Sequence, residues 1–165
     1  MKKLYRTVIV EDEPKAREEL KHLINQFPDL ELVGEAGDLV QADEICKTLK
    51  PDLVFSDVML PGGTSFDWLA QLGKIDFDLI FTTSYQEFAI QAFRLAAVDY
   101  LLKPIDPVEF RDAVKRFLKR KDDRSGQIQH LIQNLQSPKE KAKMALPTMS
   151  GYLFVEIRDI IRCES

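Results

Sequence analysis

The chain has 165 residues, 45% apolar and 30% charged, with a formal net charge of −4. This is room for one ordinary domain plus a remainder, and the acidic balance gives no nucleic-acid footprint to the chain as a whole. No apolar stretch approaches the roughly 20 residues that span a bilayer, and Met1–Arg6 runs straight into a strand with no room for a signal peptide, so a cytoplasmic protein without membrane contact is expected.

The first strand is read as Leu4–Val10. The acidic turn Glu11-Asp12-Glu13-Pro14 then opens a helix with Pro in its first turn, where a missing N–H costs nothing. Ala16, Leu20, Leu23, Ile24 and Phe27 recur along it at helical spacing. Leu30–Ala36 is a short second strand, and a second helix carries Ala42, Ile45, Cys46 and Leu49. Asp52–Asp57 is apolar between its ends, as a strand covered on both faces should be.

Leu60-Pro61-Gly62-Gly63-Thr64 reads as a tight loop before a third helix bearing Phe66, Trp68, Leu69 and Leu72. Asp78–Thr83 is the fourth strand, Glu87–Arg94 the fourth helix and Val98–Leu102 the fifth strand. Asp106-Pro107, an N-cap followed by Pro at the first helical position, opens a fifth helix with Val108, Phe110, Ala113, Val114, Phe117 and Leu118. Strands alternating with helices predict an α/β fold with a doubly wound parallel sheet.

Residues 122–138 change character, with four Gln, two Ser, one Gly and one Pro. Ile128, Leu131, Ile132 and Leu135 keep helical spacing, so this stretch is read as a linker containing a short helix. From Met144 the pattern alternates, and Tyr152–Ile157 and Ile160–Arg162 read as strands. The residues after Pro138 are too few for an independent core, so this second module looks unfinished. Charge is uneven: residues 1–110 carry 11 Lys/Arg against 20 Asp/Glu, whereas 111–124 carry 7 against 3. The basic run Arg111–Arg124 is read first as a solvated helix face whose cations favour the helix C-terminus, and second as electrostatic help to a partner surface or DNA.

Glu11, Asp12, Asp57, Thr83 and Lys103 each follow or close an apolar run. Parallel sheets bind ligands outside the carboxyl ends of their strands, so three carboxylates, a hydroxyl and an ammonium are expected to share one crevice. Taken singly, each has a plainer reading: acids that begin loops, a threonine in the turn Thr82-Thr83-Ser84, a surface lysine before Pro104. The joint pattern is what points to chemistry. Adjacent carboxylates repel, and a bound Mg²⁺ relieves that conflict with oxygen ligands. Asp12 and Asp57 fit as direct ligands, the backbone carbonyl of Met59 as a further one, and Glu11 through water. Asp57 also fits as a nucleophile toward phosphorus, with Lys103 neutralising phosphoryl charge and Thr83 donating its hydroxyl. Cys46 and Cys163 have no metal-ligand spacing and read as reduced thiols. The isolated His22 and His130 give a histidine metal site almost no support.

The segments Val8-Ile9-Val10-Glu11-Asp12-Glu13, Asp52-Leu53-Val54-Phe55-Ser56-Asp57-Val58-Met59-Leu60-Pro61, Phe81-Thr82-Thr83-Ser84 and Asp99-Tyr100-Leu101-Leu102-Lys103-Pro104 together resemble the receiver domain of a two-component response regulator, over residues 1–121. The resemblance implies a flavodoxin-like five-stranded sheet in the order 2-1-3-4-5 and phosphotransfer from a sensor histidine kinase to Asp57. It also implies a switch in which Thr83 moves toward the phosphoryl group and Tyr100 turns inward, and a cis Lys103–Pro104 bond. The face of helix 4, strand 5 and helix 5 is then the expected homodimer or output surface. Ser65 and Ser84 depart from the commoner Gly and Ala of the family without removing a reacting group.

Residues 139–165, and above all Lys143–Glu164, resemble the opening of a LytTR-type DNA-binding domain, a mostly β module. The family's DNA contacts lie beyond the matching part, so no DNA-binding residue is assigned, and 5 Lys/Arg against 4 Asp/Glu form no basic footprint here. The leading expectation is a phosphorylation-switched transcription regulator that reaches DNA only through a full-length output domain. The alternative is a receiver acting as an interaction or dimerisation module. A Mg²⁺-dependent phosphohydrolase is disfavoured because Met59 stands where such enzymes often place a second acid. Catalysis is expected only on the chain's own Asp57, by self-phosphorylation and self-dephosphorylation.

Overall fold

A computed structural model describes residues 3–134, 143–148 and 151–156, with side chains between residues 3 and 124. The chain divides into two compact units, Met1–Arg116 and Phe117–Ser165. The first contains five parallel strands, β1 (Tyr5–Val10), β2 (Leu30–Ala36), β3 (Leu53–Ser56), β4 (Asp78–Thr83) and β5 (Asp99–Leu102). Their order is β2-β1-β3-β4-β5, the doubly wound arrangement expected from the alternation of elements.

The strands are short runs of β-branched, aromatic and leucine side chains, which suit a sheet covered on both faces. Val8, Ile9, Val10, Leu53, Val54, Phe55, Ile80 and Phe81 are fully buried. Alternation sends successive side chains to opposite faces. Val8, Val10, Val54, Leu79 and Phe81 join Ala42, Cys46, Trp68, Leu69 and Ala92 in one cluster. Phe55 points the other way and stacks on Phe110 with ring centroids 5.2 Å apart.

Helices α1 (Pro14–Asn25), α2 (Leu39–Leu49), α3 (Ser65–Leu72), α4 (Ala89–Arg94) and α5 (Pro107–Asn134) connect and cover the strands. Asp38 caps α2 by accepting from the Gln41 amide at 2.8 Å. Thr64 and Asp67 form a reciprocal capping box at α3. Before α3, Met59–Leu60 pairs with Gly63–Thr64, and Gly62 and Gly63 take φ of 99° and 143°, a region glycine enters without a Cβ clash. Asp106 accepts from the Val108 amide at 2.7 Å, as expected of the α5 cap.

Three expectations shift in detail. Helix α4 begins at Ala89 rather than Glu87, because no side chain caps its start and Glu87–Phe88 form a turn. Val108 is 52% exposed instead of joining Phe110, Ala113 and Val114 in the core. α5 continues unbroken to Asn134, where the sequence pattern predicts a separate short helix in a linker. The stretch is rich in Lys, Arg and Gln, and one interior glycine costs only about 1 kcal/mol of helix stability. In the second unit, β6 (Lys143–Thr148) and β7 (Gly151–Glu156) form an antiparallel hairpin. The strand read over Ile160–Arg162 and the end of the linker lie outside the described residues. Among the described residues no helix is long and apolar enough to cross a membrane.

The register of β1 against β2 shifts between Thr7 and Val8, so that Val8 pairs with Gly34. A Cβ at Gly34 would lie 2.8 Å from Leu49 Cδ1 and 3.1 Å from Ile45 Cγ2, so the glycine lets α2 settle on the strand. Gly34→Val should destabilise the protein by about 2 kcal/mol through overpacking, read as a lower urea midpoint. An unchanged midpoint would contradict this close approach.

Candidate functional site

The carboxyl ends of β1, β3 and β5 deliver the polar cluster, and backbone hydrogen bonds hold those ends in line. The Glu11 amide donates to Ala36 O at 2.9 Å, the Asp57 amide to Val10 O at 2.9 Å and the Lys103 amide to Thr83 O at 2.8 Å. β1 lies between β2 and β3, so its end is the point where the winding of the sheet reverses, the usual place for a crevice.

Lys103 Nζ donates to Glu11 Oε2 at 2.7 Å and to Asp57 Oδ2 at 2.8 Å. Glu11 is completely buried and Asp57 nearly so. Two carboxylates withdrawn from water without a cation would be very costly, and the shared ammonium removes most of that cost. The remaining oxygens are also partnered. Glu11 Oε1 accepts from the Glu13 amide at 3.2 Å, and Asp57 Oδ1 accepts from the amides of Val58 at 2.6 Å and Met59 at 3.3 Å. Burial holds the Glu11 carboxyl above the usual glutamate range, with Lys103 pulling against it. Burial alone would lower Lys103, but its hydrogen bonds to Asp57 and Glu11 outweigh that and raise it.

Glu11, Asp12 and Asp57 each offer an oxygen within 4.8 Å of the others, Asp12 being the exposed member. An all-oxygen donor set of this kind suits a hard divalent cation. The trio with Lys103 carries two formal negative charges, which such a cation balances. Met59 is 41% exposed, and it is the Met59 amide, not its carbonyl, that the hydrogen bonding ties to Asp57. The expected cis bond is present at Lys103–Pro104.

Thr83 and Tyr100 stand one step from the carboxylates. Thr83 is fully buried at the end of β4, and its hydroxyl accepts from the Tyr85 amide at 3.3 Å. Tyr100, half-buried against Phe81 with ring centroids 6.3 Å apart, donates its hydroxyl to the carbonyl of the same Tyr85. Burial pushes the Tyr100 phenol up to about 12, so it remains a donor at any ordinary pH. The two residues are therefore linked through the backbone of Tyr85.

Four participants escape sequence reading. Tyr85 and the Val58 and Met59 amides act through backbone, which no residue type announces. Arg17, in the first turns of α1, donates from Nε at 3.0 Å and Nη2 at 2.7 Å to the Glu11 carbonyl. In sequence it is one more charge on an amphipathic helix, six positions from Glu11.

The family model for the response regulator receiver domain matches residues 7–115. The sensory transduction protein LytT of Bacillus cereus is 32% identical over 160 residues, covering 96% of this chain and 65% of that protein. LytT of Bacillus subtilis is 34% identical over 160 residues, covering 96% and 64% respectively. This chain thus spans just under two thirds of the length of these curated relatives. Among solved structures, the response regulatory domain of mrkE from Klebsiella pneumoniae superposes with a TM-score of 0.66 at 28% identity, covering 72% of this chain and 98% of that one. The strand order, the acidic trio bridged by Lys103 and the match over residues 7–115 agree, and the chain belongs to the response regulator receiver domain family.

Proposed function

We propose that the chain is a phosphorylation-switched regulator whose Asp57 accepts a phosphoryl group from a sensor histidine kinase, with Mg²⁺ held by Asp12, Asp57, the Met59 carbonyl and, through water, Glu11. The observation that carries this reading is the Lys103 ammonium shared between Glu11 and Asp57 beside Asp12. An Asp57 carboxylate oxygen attacks phosphorus, the bond to the donor's nitrogen or oxygen breaks, and the donor leaves with that electron pair. The amides of Val58 and Met59 hold Oδ1 in place, which leaves the Oδ2 side, where Lys103 sits, for the new bond. When bound, Mg²⁺ supplies neutralisation of the charge on the phosphoryl oxygens. Lys103 provides the second positive charge and transfers part of its hydrogen bonding from carboxylate to phosphoryl oxygen.

Thr83 leaves the Tyr85 amide to donate to the phosphoryl group, and the β4–α4 turn relaxes with it. Tyr100, tied to the Tyr85 carbonyl, then exchanges that bond for a position further inward. A small differential affinity of this kind biases a pre-existing two-state equilibrium. The output face is α4, β5 and the start of α5, where Ile90 is 67% and Phe93 40% exposed and Asp99 pairs with Arg116. That face serves a homodimer. Residues 139–165, following the receiver at 1–121 and the segment 122–138, act as the start of a LytTR-type output module through which a full-length protein reaches DNA in the cytoplasm. The β6–β7 hairpin and the LytT relatives support that assignment.

Incubation with acetyl phosphate and Mg²⁺ should add a single phosphoryl group by intact mass, and Asp57→Asn should add none while remaining folded. Modification of the variant at the wild-type level would refute the assignment.

The charge balance generates a second expectation. Glu11 is raised, so it contributes less to stability as pH climbs above the ordinary glutamate range. Lys103 is raised, so its contribution is complete below the ordinary lysine pKa and is lost only in strong alkali. Lys103→Met strands two buried carboxylates, at a cost of about 3 kcal/mol at neutral pH. The deficit should be smaller in mildly acidic than in neutral buffer, because burial already favours the protonated form of the Glu11 carboxyl, and smaller again when Mg²⁺ is added. Urea titrations at both pH values, with and without Mg²⁺, measure it, and an equal deficit under all conditions would refute the charge account.

A further inference from the structure

The Glu11 backbone is held on both sides of its Cα. Its carbonyl accepts both N–H groups of Arg17, at 3.0 and 2.7 Å, while the Glu11 amide is fixed to Ala36 O at 2.9 Å. A peptide unit is planar, so fixing the direction of the Glu11 carbonyl also fixes the plane that leads to the Asp12 Cα. Asp12 is the exposed member of the acidic trio, whereas Glu11 and Asp57 are buried and locked by Lys103. The member of the trio with least packing around it is thus the one whose backbone Arg17 orients.

A second observation, on another element, bears on the same guanidinium. Gly37 follows β2, and a Cβ there would stand 2.9 Å from Arg17 Nη2. The backbone at Gly37 is outside the left-handed region, unlike Gly62, Gly63 and Gly73, so no turn demands glycine at this position. Its amide donates to Gln41 Oε1 at 2.8 Å, a bond any residue can make except proline. What glycine supplies at 37 is room for the Arg17 head group.

We infer that Arg17, given space by Gly37, is a positioning residue that sets the Glu11–Asp12 turn for divalent-cation binding. This role rests on the proposed Mg²⁺ site and adds to it a residue that touches neither metal nor phosphoryl group. Outer partners that orient metal ligands typically control affinity by about 10-fold or more. Lysine is a poor substitute, because it lacks the rigid planar set of N–H groups that reaches one carbonyl twice.

The test is Mg²⁺ binding by calorimetry, using the metal alone, on wild type, Arg17→Ala, Arg17→Lys, Gly37→Ala and the Arg17→Ala/Gly37→Ala double variant. Arg17→Ala should raise the Mg²⁺ dissociation constant about 10-fold, and Arg17→Lys should recover only part of that. Gly37→Ala displaces a flexible side-chain end and not backbone, so it should fold normally yet weaken Mg²⁺ binding in the same direction. In the Arg17→Ala background the Gly37 change should have no further effect, because the group it displaces is gone. In phosphorylation by acetyl phosphate, the loss should fall on the Mg²⁺ concentration for half-maximal rate and not on the rate at saturation.

Wild-type Mg²⁺ affinity in Arg17→Ala, accompanied only by a lower melting temperature, would overturn the role by showing a purely structural clamp. Additive effects of the two substitutions would overturn it as well, by separating Gly37 from the guanidinium. Failure of wild type itself to bind Mg²⁺ would instead overturn the proposed metal site, and this role with it.

Discussion

A single ammonium between two buried carboxylates is the constraint around which the rest of the molecule is arranged. Lys103 lies within 2.8 Å of both Glu11 and Asp57, and burying two carboxylates without a paired cation would be very costly. Meeting that requirement brings together three strand ends that are 46 and 92 residues apart in sequence. A parallel sheet with β1 and β3 adjacent, and β5 reaching the same edge through β4, does so with backbone bonds alone. The apolar interior then stabilises the frame.

The same arrangement explains why the site is poised and not inert. Three carboxylates against one ammonium leave the cluster short of positive charge, with Asp12 open to solvent. A pair balanced one to one would be a structural salt bridge with little reason to recruit a cation. An imbalance of two formal charges, carried by oxygen donors alone, suits a hard divalent ion. Cys46, whose thiol burial pushes up to about 12, takes no part in this chemistry and behaves as core.

The legible parts of the sequence are those in which residue type and period carry the information. Val8-Ile9-Val10 and Leu79-Ile80-Phe81 read as buried strands because continuous apolar runs bounded by polar residues have few other uses. Pro14, Asp106 and Pro107 mark helix starts through known cap chemistry, whereas the Asp38 cap of α2 emerges only from the structure. The convergence of Glu11, Asp57 and Lys103 followed from strand order. What stayed hidden depends on backbone or on long-range shape. Helix α5 passes through a glycine because tertiary and propensity effects accumulate over many residues while the sequence signal is local. Val108 occupies an apolar position in the helical pattern yet faces solvent. Ser65, the departure at the start of α3, is buried with its amide bonded to Val58 O at 2.8 Å, a fit that only the close approach of the two segments reveals.

Tyr85 shows how far function can rest on a residue whose side chain is not involved. Its amide donates to the Thr83 hydroxyl and its carbonyl accepts from the Tyr100 hydroxyl, so one residue, through two successive peptide units, touches both. Tyr85 thus stands between the Thr83 hydroxyl and the Tyr100 phenol, in the segment that leads from β4 to α4. At the Glu11–Asp12 peptide the planar unit itself does the linking: gripped at its carbonyl by Arg17, it constrains the plane that leads to the Asp12 Cα.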